Sequence, residues 1–366
     1  MSGKVVIVGG GYGGSTLAKA LDETMDVVLV DPKDAFVHSV AALRGLVSAE
    51  WAPRVFYPYG NLLQRGVVIR DRVVAVDEKG VTTAAGTRID ADYIVLASGS
   101  TYPFPAKMDV DDSLVAQHSQ AATREELERA ERVLLVGAGP VGLELAGEIS
   151  ERWPEKKITI VDVTDEILAG DQYLPGLRSS LREQLEARGV SFLLGSPLAG
   201  EPATPPGVAG ALDLRTEDGR TVQADIWFRC YGVRPVSDYL QGELAGARHA
   251  NGALEVDAHL RLVGAEHVYA IGDVTAVPEP KRAGAAQRHA DVVAKNIQAH
   301  SAGRPVEEVY RPGPGVALIP LGSTGGDSQV PGPDGPVLIG AEATARNKGT
   351  DLMTARYAET FGLADR

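Results

Sequence analysis

Two glycine-rich turns carry the most specific chemical signal in this chain. The first places Gly9, Gly11 and Gly14 in a G-x-G-x-x-G pattern directly after the apolar segment Lys4–Val8. The first glycine of this pattern permits a tight turn, the second lets the backbone approach a pyrophosphate, and the third lets the following helix pack on the strand. Asp31 follows Gly11 by 20 residues and ends the next predicted strand, where a carboxylate can accept hydrogen bonds from ribose hydroxyls. These residues predict a dinucleotide site.

The helix expected after the first turn, over about 13–21, supports that prediction. Its free N–H groups and positive dipole end would face the phosphates, and Gly13 belongs to the same set of candidate cofactor-binding residues. The alternative is a glycine-rich turn beside a solvated aspartate, since an isolated motif of this kind is a weak signal.

The second turn repeats the pattern at Gly137, Gly139 and Gly142, after another apolar strand, with Asp162 placed 25 residues beyond Gly137. Two dinucleotide folds in one chain favour a bound flavin that receives hydride from a nicotinamide. The alternative is a degenerate second copy that binds nothing. Asp162 is followed by Val163, Thr164, Asp165 and Glu166, so no adjacent cation is available for a 2′-phosphate, and NADH is predicted over NADPH.

Two further segments place small residues after short apolar strands. These are Ala97-Ser98-Gly99 and Gly272-Asp273, where a compact backbone can close on a ligand. In the second of these segments, Asp273 can bind the ribityl hydroxyls of FAD. Each segment alone is as often a plain turn as a site, and their order in the chain is what favours a site.

The elements that must position these residues form two β-α-β units, which predicts an α/β fold with two Rossmann-like dinucleotide-binding domains. An FAD-binding domain is predicted at 1–105 and 251–305, interrupted by an NAD(P)H-binding domain at 106–250. From residue 310 onward glycine and proline are dense, strands are expected at 316–321 and 337–339 with a turn at 333–335, and a helix is expected over about 350–361. Residues 306–366 are therefore assigned to a small α+β C-terminal domain.

The composition excludes several classes of function. A net charge of −13 argues against nucleic acid and against electrostatic docking on an anionic membrane. The single cysteine, Cys230, excludes an internal disulfide, and no Cys/His spacing suits a metal. No stretch is apolar enough to span a bilayer, and the start of the chain is too short for a signal peptide, so a cytoplasmic protein is expected.

The sequence resembles the flavoprotein oxidoreductases with two dinucleotide-binding domains. Within them it is most similar to the apoptosis-inducing-factor-like and ferroptosis-suppressor type of NADH:quinone reductase, and more distantly to type II NADH dehydrogenases. The segments that carry the resemblance are VDPKDAF at 30–36, AALR at 41–44, ASGS at 97–100, PFP at 103–105, VYAIGD at 268–273 and PK at 280–281.

The resemblance implies FAD in the first fold, NAD(P)H in the second and a quinone-like acceptor. It also implies that Arg44 and Asp273 touch FAD, that Glu144 lies beside the nicotinamide, and that Lys348 lies near the isoalloxazine. The alternative for Glu144 is an acidic residue stabilised by the helix dipole. His289 is a proton-donor candidate and equally a core histidine.

Three questions stay open at this level. The apolar stripe of the last helix, Leu352, Met353, Tyr357 and Phe361, either docks on the domain below or makes weak peripheral contact with a membrane. The segment after Lys281 has no aromatic residue that could line a quinone pocket, so the acceptor could instead be a small redox protein. A flavin redox sensor acting through a protein partner is a further alternative. The oligomeric state is not assigned.

Overall fold

The computed structural model describes residues 3–313 and 315–363. It begins with the predicted β-α-β unit. The first strand of this unit is apolar on both faces, because helices and loops cover both sides of a parallel sheet. The elements before the insertion are β1 (Lys4–Val8), α1 (Tyr12–Leu21), β2 (Asp26–Asp31), β3 (Ala35–Val37), α2 (Ala42–Val47), β4 (Phe56–Pro58), β5 (Val67–Arg70), β6 (Val73–Asp77), β7 (Gly80–Thr83), β8 (Arg88–Asp90), β9 (Tyr93–Leu96) and β10 (Ser100–Thr101).

The inserted domain repeats the unit around a second parallel sheet, in the order β13-β12-β11-β16. A hairpin, β14–β15, precedes its last strand. The elements are α3 (Ser113–Arg129), β11 (Arg132–Val136), α4 (Pro140–Arg152), β12 (Lys157–Val161), α5 (Pro175–Ala187), β13 (Ser191–Leu193), β14 (Leu212–Arg215), β15 (Thr221–Ala224) and β16 (Ile226–Arg229).

The chain returns to the first domain through strand β17 (Arg234–Pro235), which pairs antiparallel with β10. The two chain segments that connect the first and the inserted domain therefore lie side by side. Tyr239 and Leu240 share a core cluster with Val6 of β1, ahead of the expected boundary at 250/251, which stays a prediction. The first sheet is completed by β18 (Val268–Ala270), in the parallel order β18-β9-β1-β2-β5, and is followed by α6 (Ala283–Ser301).

The C-terminal segment contributes a three-stranded antiparallel sheet and two short helices. They are β19 (Ala317–Leu321), β20 (Gly325–Gly332), β21 (Gly335–Leu338), α7 (Gly340–Thr344) and α8 (Thr354–Thr360). A π-helical turn, Ala345–Gly349, continues directly from α7. The sheet packs on α4 and α5 of the inserted domain.

Helix α8 packs instead into the first domain, where Tyr357 and Phe361 join the core around α1 and β1. Leu352, Tyr357 and Phe361 are only 2%, 5% and 0% exposed, so these three residues of the apolar stripe pack within the protein, whereas Met353 is half-buried. Their burial favours the docking alternative, and peripheral contact of this segment with a membrane stays a prediction. Across the described ranges, 3–313 and 315–363, no helix is both long and apolar enough to cross a bilayer.

Candidate active site

In the first glycine turn (residues 9–14), neighbouring atoms leave room for an added Cβ at only one glycine. Gly9 has a φ of +105°, and a Cβ there would lie 2.5 Å from the carbonyl oxygen of Ala97. A Cβ on Gly14 would overlap the carbonyl oxygen of Gly9. A Cβ on Gly11 would meet nothing within 4 Å, and Gly11 is the residue that caps the N-terminus of α1. The backbone is thus exposed where a pyrophosphate would bind at a helix N-terminus.

The second glycine turn (residues 137–142) has the same arrangement. Gly137 has a φ of +116°, a Cβ on it would lie 2.7 Å from the carbonyl oxygen of Cys230, and a Cβ on Gly142 would overlap the carbonyl oxygen of Gly137. Gly139, at the N-terminus of α4, again has nothing within 4 Å of an added Cβ. Both turns therefore fit a dinucleotide at the second glycine, although they lie in different sheets.

The acids at the ends of the second strands stabilise these turns. Asp31 Oδ2 accepts the N–H of Gly10 at 2.6 Å, and Asp162 Oδ2 accepts the N–H of Ala138 at 2.6 Å. Burial raises the pKa of Asp31 above its usual value. Each carboxylate thus lies beside its glycine turn, and its contact with a ribose stays a prediction.

The strand ends predicted from sequence come together at the first turn, because β9 and β18 are neighbours in the first sheet. Ala97 is the residue against which Gly9 packs. Ser98 Oγ donates to the carbonyl oxygen of Val236 at 2.6 Å, which ties this strand end to the returning chain. Gly99 and Gly272 both have positive φ, +68° and +72°, and shape the two turns that flank the site.

Asp273 lies in a small polar cluster that the sequence did not reveal. Its Oδ2 accepts from Ser100 Oγ at 2.6 Å and lies 3.1 Å from Lys107 Nζ. Lys107 also donates to the carbonyl oxygen of Ser100 at 2.7 Å. No motif in the sequence surrounds Lys107.

A cavity of about 360 Å³ lies along the outer edge of β5, next to the residues that follow Asp31. Tyr59 connects it to the first glycine turn, since its hydroxyl donates to the carbonyl oxygen of Gly10 at 3.0 Å. The cavity is a candidate for the adenosine portion of a dinucleotide. Its lining residues are Lys33, Asp34, Pro58, Tyr59, Gly60, Leu63, Gly66, Val68 and Arg70.

Glu144 and Lys348, two candidates far apart in sequence, form an ion pair. Lys348 Nζ lies 2.8 Å from Glu144 Oε1 and donates to the carbonyl oxygen of Leu318 at 3.1 Å. The two side chains are 15% and 12% exposed. Burial raises the pKa of Glu144, while the positive charge of Lys348 opposes that rise. Glu144 lies in the second turn of α4, whose first residues follow the second glycine turn, so the pair joins this helix to the C-terminal segment. The contacts of Glu144 with a nicotinamide and of Lys348 with an isoalloxazine stay predictions.

Arg44 is engaged with protein groups. Its Nη2 lies 2.8 Å from Glu148 Oε1, and its Nη1 donates to the carbonyl oxygen of Gly349 at 2.6 Å. Its contact with FAD, implied by resemblance, stays a prediction, and the buried pair with Glu148 was not foreseen. The helical spacing of Glu144 and Glu148 was the only sequence signal for it.

His289 is buried, and both of its ring nitrogens have protein partners. The N–H of Gly272 donates to its Nδ1 at 3.0 Å, so the ring proton is on Nε2, which faces Glu279 Oε1 at 2.8 Å. Its side chain is 1% exposed, and burial lowers its pKa. These contacts hold the turn at Gly272 and favour the core interpretation, and the role of proton donor stays a prediction. Tyr310, whose hydroxyl donates to Glu279 at 2.8 Å, completes the cluster.

Aromatic residues surround a buried histidine that the sequence did not single out. His38 is fully buried, its Nε2 donates to the carbonyl oxygen of Leu352 at 2.7 Å, and its Nδ1 accepts from the hydroxyl of Tyr12 at 2.9 Å. The ring centroid of Tyr357 lies 4.4 Å from that of His38. The aromatic cluster, as we call it, comprises Tyr12, Phe36, His38, Tyr57, Tyr357 and Phe361. All members of the cluster except Tyr12 are buried.

Residues 3–290 match the family described as pyridine nucleotide-disulphide oxidoreductase. The chain belongs to this family. Membership implies that it binds FAD and NAD(P)H, as the two open glycine turns indicated. The disulphide chemistry in the family's name is not available within this chain, because its single cysteine, Cys230, is buried and burial raises the pKa of the thiol to about 12.

The chain aligns with curated relatives over nearly its whole length. The chain is 34% identical to ferroptosis suppressor protein 1 of Taeniopygia guttata, over 98% of this chain and 96% of that protein. It is 32% identical to the human protein of the same name, over 98% and 95%, and 29% identical to apoptosis-inducing factor homolog B of Dictyostelium discoideum, over 97% and 95%.

Solved structures confirm the fold. The sulfide:quinone oxidoreductase of Aquifex aeolicus superposes with a TM-score of 0.75 at 16% identity, covering 99% of this chain and 92% of that one. The water-forming NADH oxidase of Lactobacillus brevis superposes with a TM-score of 0.63 at 23% identity, over 81% and 69%. The protein is thus an oxidoreductase of the FAD/NAD(P)-dependent type.

Proposed function

We propose that this protein is an FAD-dependent NADH oxidoreductase that passes electrons to a quinone-like acceptor. The observation that carries the proposal is the pair of matching glycine turns, each open only at its second glycine, with the buried Glu144–Lys348 pair beside the second. One turn alone would suit a simple dehydrogenase, whereas two turns with a buried ion pair suit a flavin reduced by a nicotinamide.

The first glycine turn, Asp31 and Asp273 would hold FAD, and the second glycine turn with Asp162 would hold NADH. The chemistry supplied by the bound cofactors is hydride transfer from NADH to FAD and onward transfer of electrons to the acceptor. The protein's part is to fix both dinucleotides by backbone N–H groups and to keep water away from the reacting centre. The positive charge of Lys348 lowers the pKa of Glu144 against the effect of burial, which favours the carboxylate form that would orient a polar group of the coenzyme.

NADH is favoured over NADPH by the surroundings of Asp162. The carboxylate is held by the N–H of Ala138 at 2.6 Å and the hydroxyl of Thr164 at 2.7 Å. Arg178 lies 3.1 Å from Glu166 and donates to the carbonyl oxygen of Gly170 at 2.7 Å, so this arginine already has protein partners. A 2′-phosphate beside Asp162 would meet negative charge.

A quinone-like acceptor is supported by the family resemblance and by the aromatic cluster next to the first glycine turn. Tyr12 links the aromatic cluster to the first glycine turn, because it follows Gly11 directly and its ring centroid lies 5.1 Å from that of Phe36. Planar aromatic side chains make favourable offset or edge contacts with a planar ring. A thiol or disulfide acceptor site is not supported, since Cys230 is buried beneath the second glycine turn.

The decisive experiment is anaerobic titration of the purified yellow protein. We expect NADH to bleach the flavin absorbance and soluble quinones to restore it over many turnovers. A flavin that NADH leaves oxidised would contradict the proposal. A long-lived reduced complex with almost no turnover would favour the redox-sensor alternative, and reoxidation only by a small redox protein would favour the reductase alternative.

A further inference from the structure

The buried ion pair between Arg44 and Glu148 joins three parts of the chain. Arg44 lies in α2 of the first domain and Glu148 in α4 of the inserted domain. Arg44 Nε lies 3.1 Å and 3.0 Å from the two carboxylate oxygens of Glu148, and Nη2 lies 2.8 Å from Oε1. Arg44 Nη1 donates to the carbonyl oxygen of Gly349 at 2.6 Å, which adds the C-terminal segment.

The pair is sealed from solvent. The guanidinium carbon lies 4.8 Å from the ring centre of Trp51, and the side chains of Arg44 and Glu148 are 6% and 7% exposed. Buried charges are tolerated only when their geometry and hydrogen bonding are close to ideal. All three nitrogens of Arg44 have protein acceptors, so this guanidinium is committed to the junction between the domains.

The contacts of Arg44 also hold the two segments that carry Glu144 and Lys348. Glu144 and Glu148 are four residues apart in α4 and therefore lie on one face of the helix. Lys348 immediately precedes Gly349 in the π-helical turn. Arg44 thus holds the helix that carries Glu144 and, through the Gly349 carbonyl, the turn that carries Lys348.

We propose that Arg44 is a positioning residue for the Glu144–Lys348 pair and not a ligand of FAD. The inference rests on the proposed function, because it assigns that pair to the nicotinamide side of the reaction. Arg44 also acts through its charge, since its positive charge helps to lower the pKa of Glu144 against the effect of burial. Loss of Arg44 should therefore disturb both the place and the ionisation of Glu144.

The test compares Arg44→Met and Glu148→Gln with the wild type. Both variants should retain the wild-type FAD content, read from the visible spectrum. Flavin reduction by NADH in anaerobic stopped flow should slow by about tenfold, which corresponds to about 1.4 kcal/mol. In Arg44→Met the pH at which the reduction rate changes should move upward, because Glu144 loses a nearby positive charge; Arg44→Lys, which restores the charge, should reverse part of that move.

Arg129→Met is the matched control. Arg129 pairs with Glu126 at 3.1 Å on the surface of α3, and both groups are well exposed. Removing its charge should change neither FAD content, nor reduction rate, nor pH profile.

Two results would overturn the inference. Arg44→Met protein that is folded but colourless would make Arg44 a flavin ligand, and a fully loaded variant with wild-type rate and pH profile would leave it no positioning role. If Arg44→Met does not fold, the double variant Arg44→Met/Glu148→Met decides between the same results, because apolar pairs often replace buried ion pairs without loss of stability. Wild-type protein that NADH fails to reduce would overturn the proposed function as well, whereas unchanged variants of a competent wild type overturn this inference alone.

Discussion

At the scale of single residues, the three glycines of each turn do different jobs. Gly9 and Gly14 have no room for a side chain because protein backbone fills the space, whereas Gly11 has room. The same division holds for Gly137, Gly142 and Gly139. The crowding at the first and third glycines follows from backbone sterics, and contact of the second glycine with a pyrophosphate stays a prediction.

Replacing Gly11 with valine should therefore separate folding from cofactor binding. We expect Gly11→Val to fold with little loss of stability and to be colourless, since the new side chain occupies the place of the pyrophosphate. Gly14→Val should fail to fold, because a Cβ there overlaps the carbonyl oxygen of Gly9. Absorbance spectra and thermal melts check both, and a yellow, fully loaded Gly11→Val protein would contradict the assignment of this turn.

We expect the choice between NADH and NADPH to depend on Asp162. We expect the native protein to prefer NADH by about tenfold or more in kcat/KM, the factor that about 1.4 kcal/mol produces. Asp162→Ser should narrow the preference by improving the use of NADPH, because it removes a negative charge facing the 2′-phosphate. Equal native values, or no gain with NADPH in the variant, would show that Asp162 does not select the coenzyme.

His38 should make stability depend on pH. Burial lowers its pKa to about 4 from 6.5, so the folded state resists a proton that the unfolded chain accepts. Its contribution is present above the unfolded pKa and is lost as pH falls through the window from 6.5 towards 4, at roughly 1.4 kcal/mol per unit. Urea denaturation of wild type and His38→Asn at pH 7 and pH 4.5 should show the difference between them shrink or reverse by roughly 2–3 kcal/mol. Parallel pH curves for the two proteins would mean that His38 is not buried and neutral.

At the scale of elements, regular apolar segments were predictable and irregular ones were not. The first unit was placed within a residue or two, because β1 and β2 are continuous apolar strands bounded by glycine and aspartate. Strand β20 was missed, since its sequence GGDSQVPG has no alternation and a single strand-forming residue, Val330, and it is defined by pairing with β19 and β21. Helix α3 begins where the side chain of Asp112 accepts the N–H groups of Leu114 and Val115.

The residues of the candidate site were likewise predictable only in part. Motif residues on one strand-turn-helix unit were found from spacing, whereas contacts that depend on distant segments were not. The aromatic cluster draws His38 from one end of the chain and Tyr357 from the other, and Glu279 reaches His289 across a loop. No periodicity within one segment encodes such contacts.

Helix α8 should be necessary for the stability of the first domain. Phe361 is fully buried and stacks on Phe36 at a centroid distance of 4.8 Å. Phe361→Ala should destabilise the protein by about 3–5 kcal/mol, as expected for removing a buried aromatic side chain. Arg356→Ala, on the exposed face of the same helix, should stay within about 0.5 kcal/mol of wild type. Chemical denaturation measures both, and equal effects would show that α8 does not dock as described.

At the scale of the whole molecule, the three parts are held by few but well-buried junctions. The β10–β17 pair joins the two dinucleotide folds, and the Arg44–Glu148 pair joins both folds to the C-terminal segment. The two parallel sheets lie in the segments assigned to the two dinucleotide folds, and the chain returns to the first fold through β17, a strand of only two residues. The bounds of the three parts stay a prediction. The acidic surface implied by the charge of −13 would attract a basic partner and is indifferent to a neutral quinone.

The docking of α8 against α1 and β1 also bears on how the protein is made. The ribosome delivers the first glycine turn long before Tyr357 and Phe361, the residues that complete its apolar support. Domains fold during synthesis from the N-terminus onward, yet here strand β1 packs with residues that are synthesised much later. Nascent chains stalled before residue 354 should therefore expose apolar surface to proteases and chaperones and should not retain flavin, and chains extended past residue 363 should regain both protection and colour.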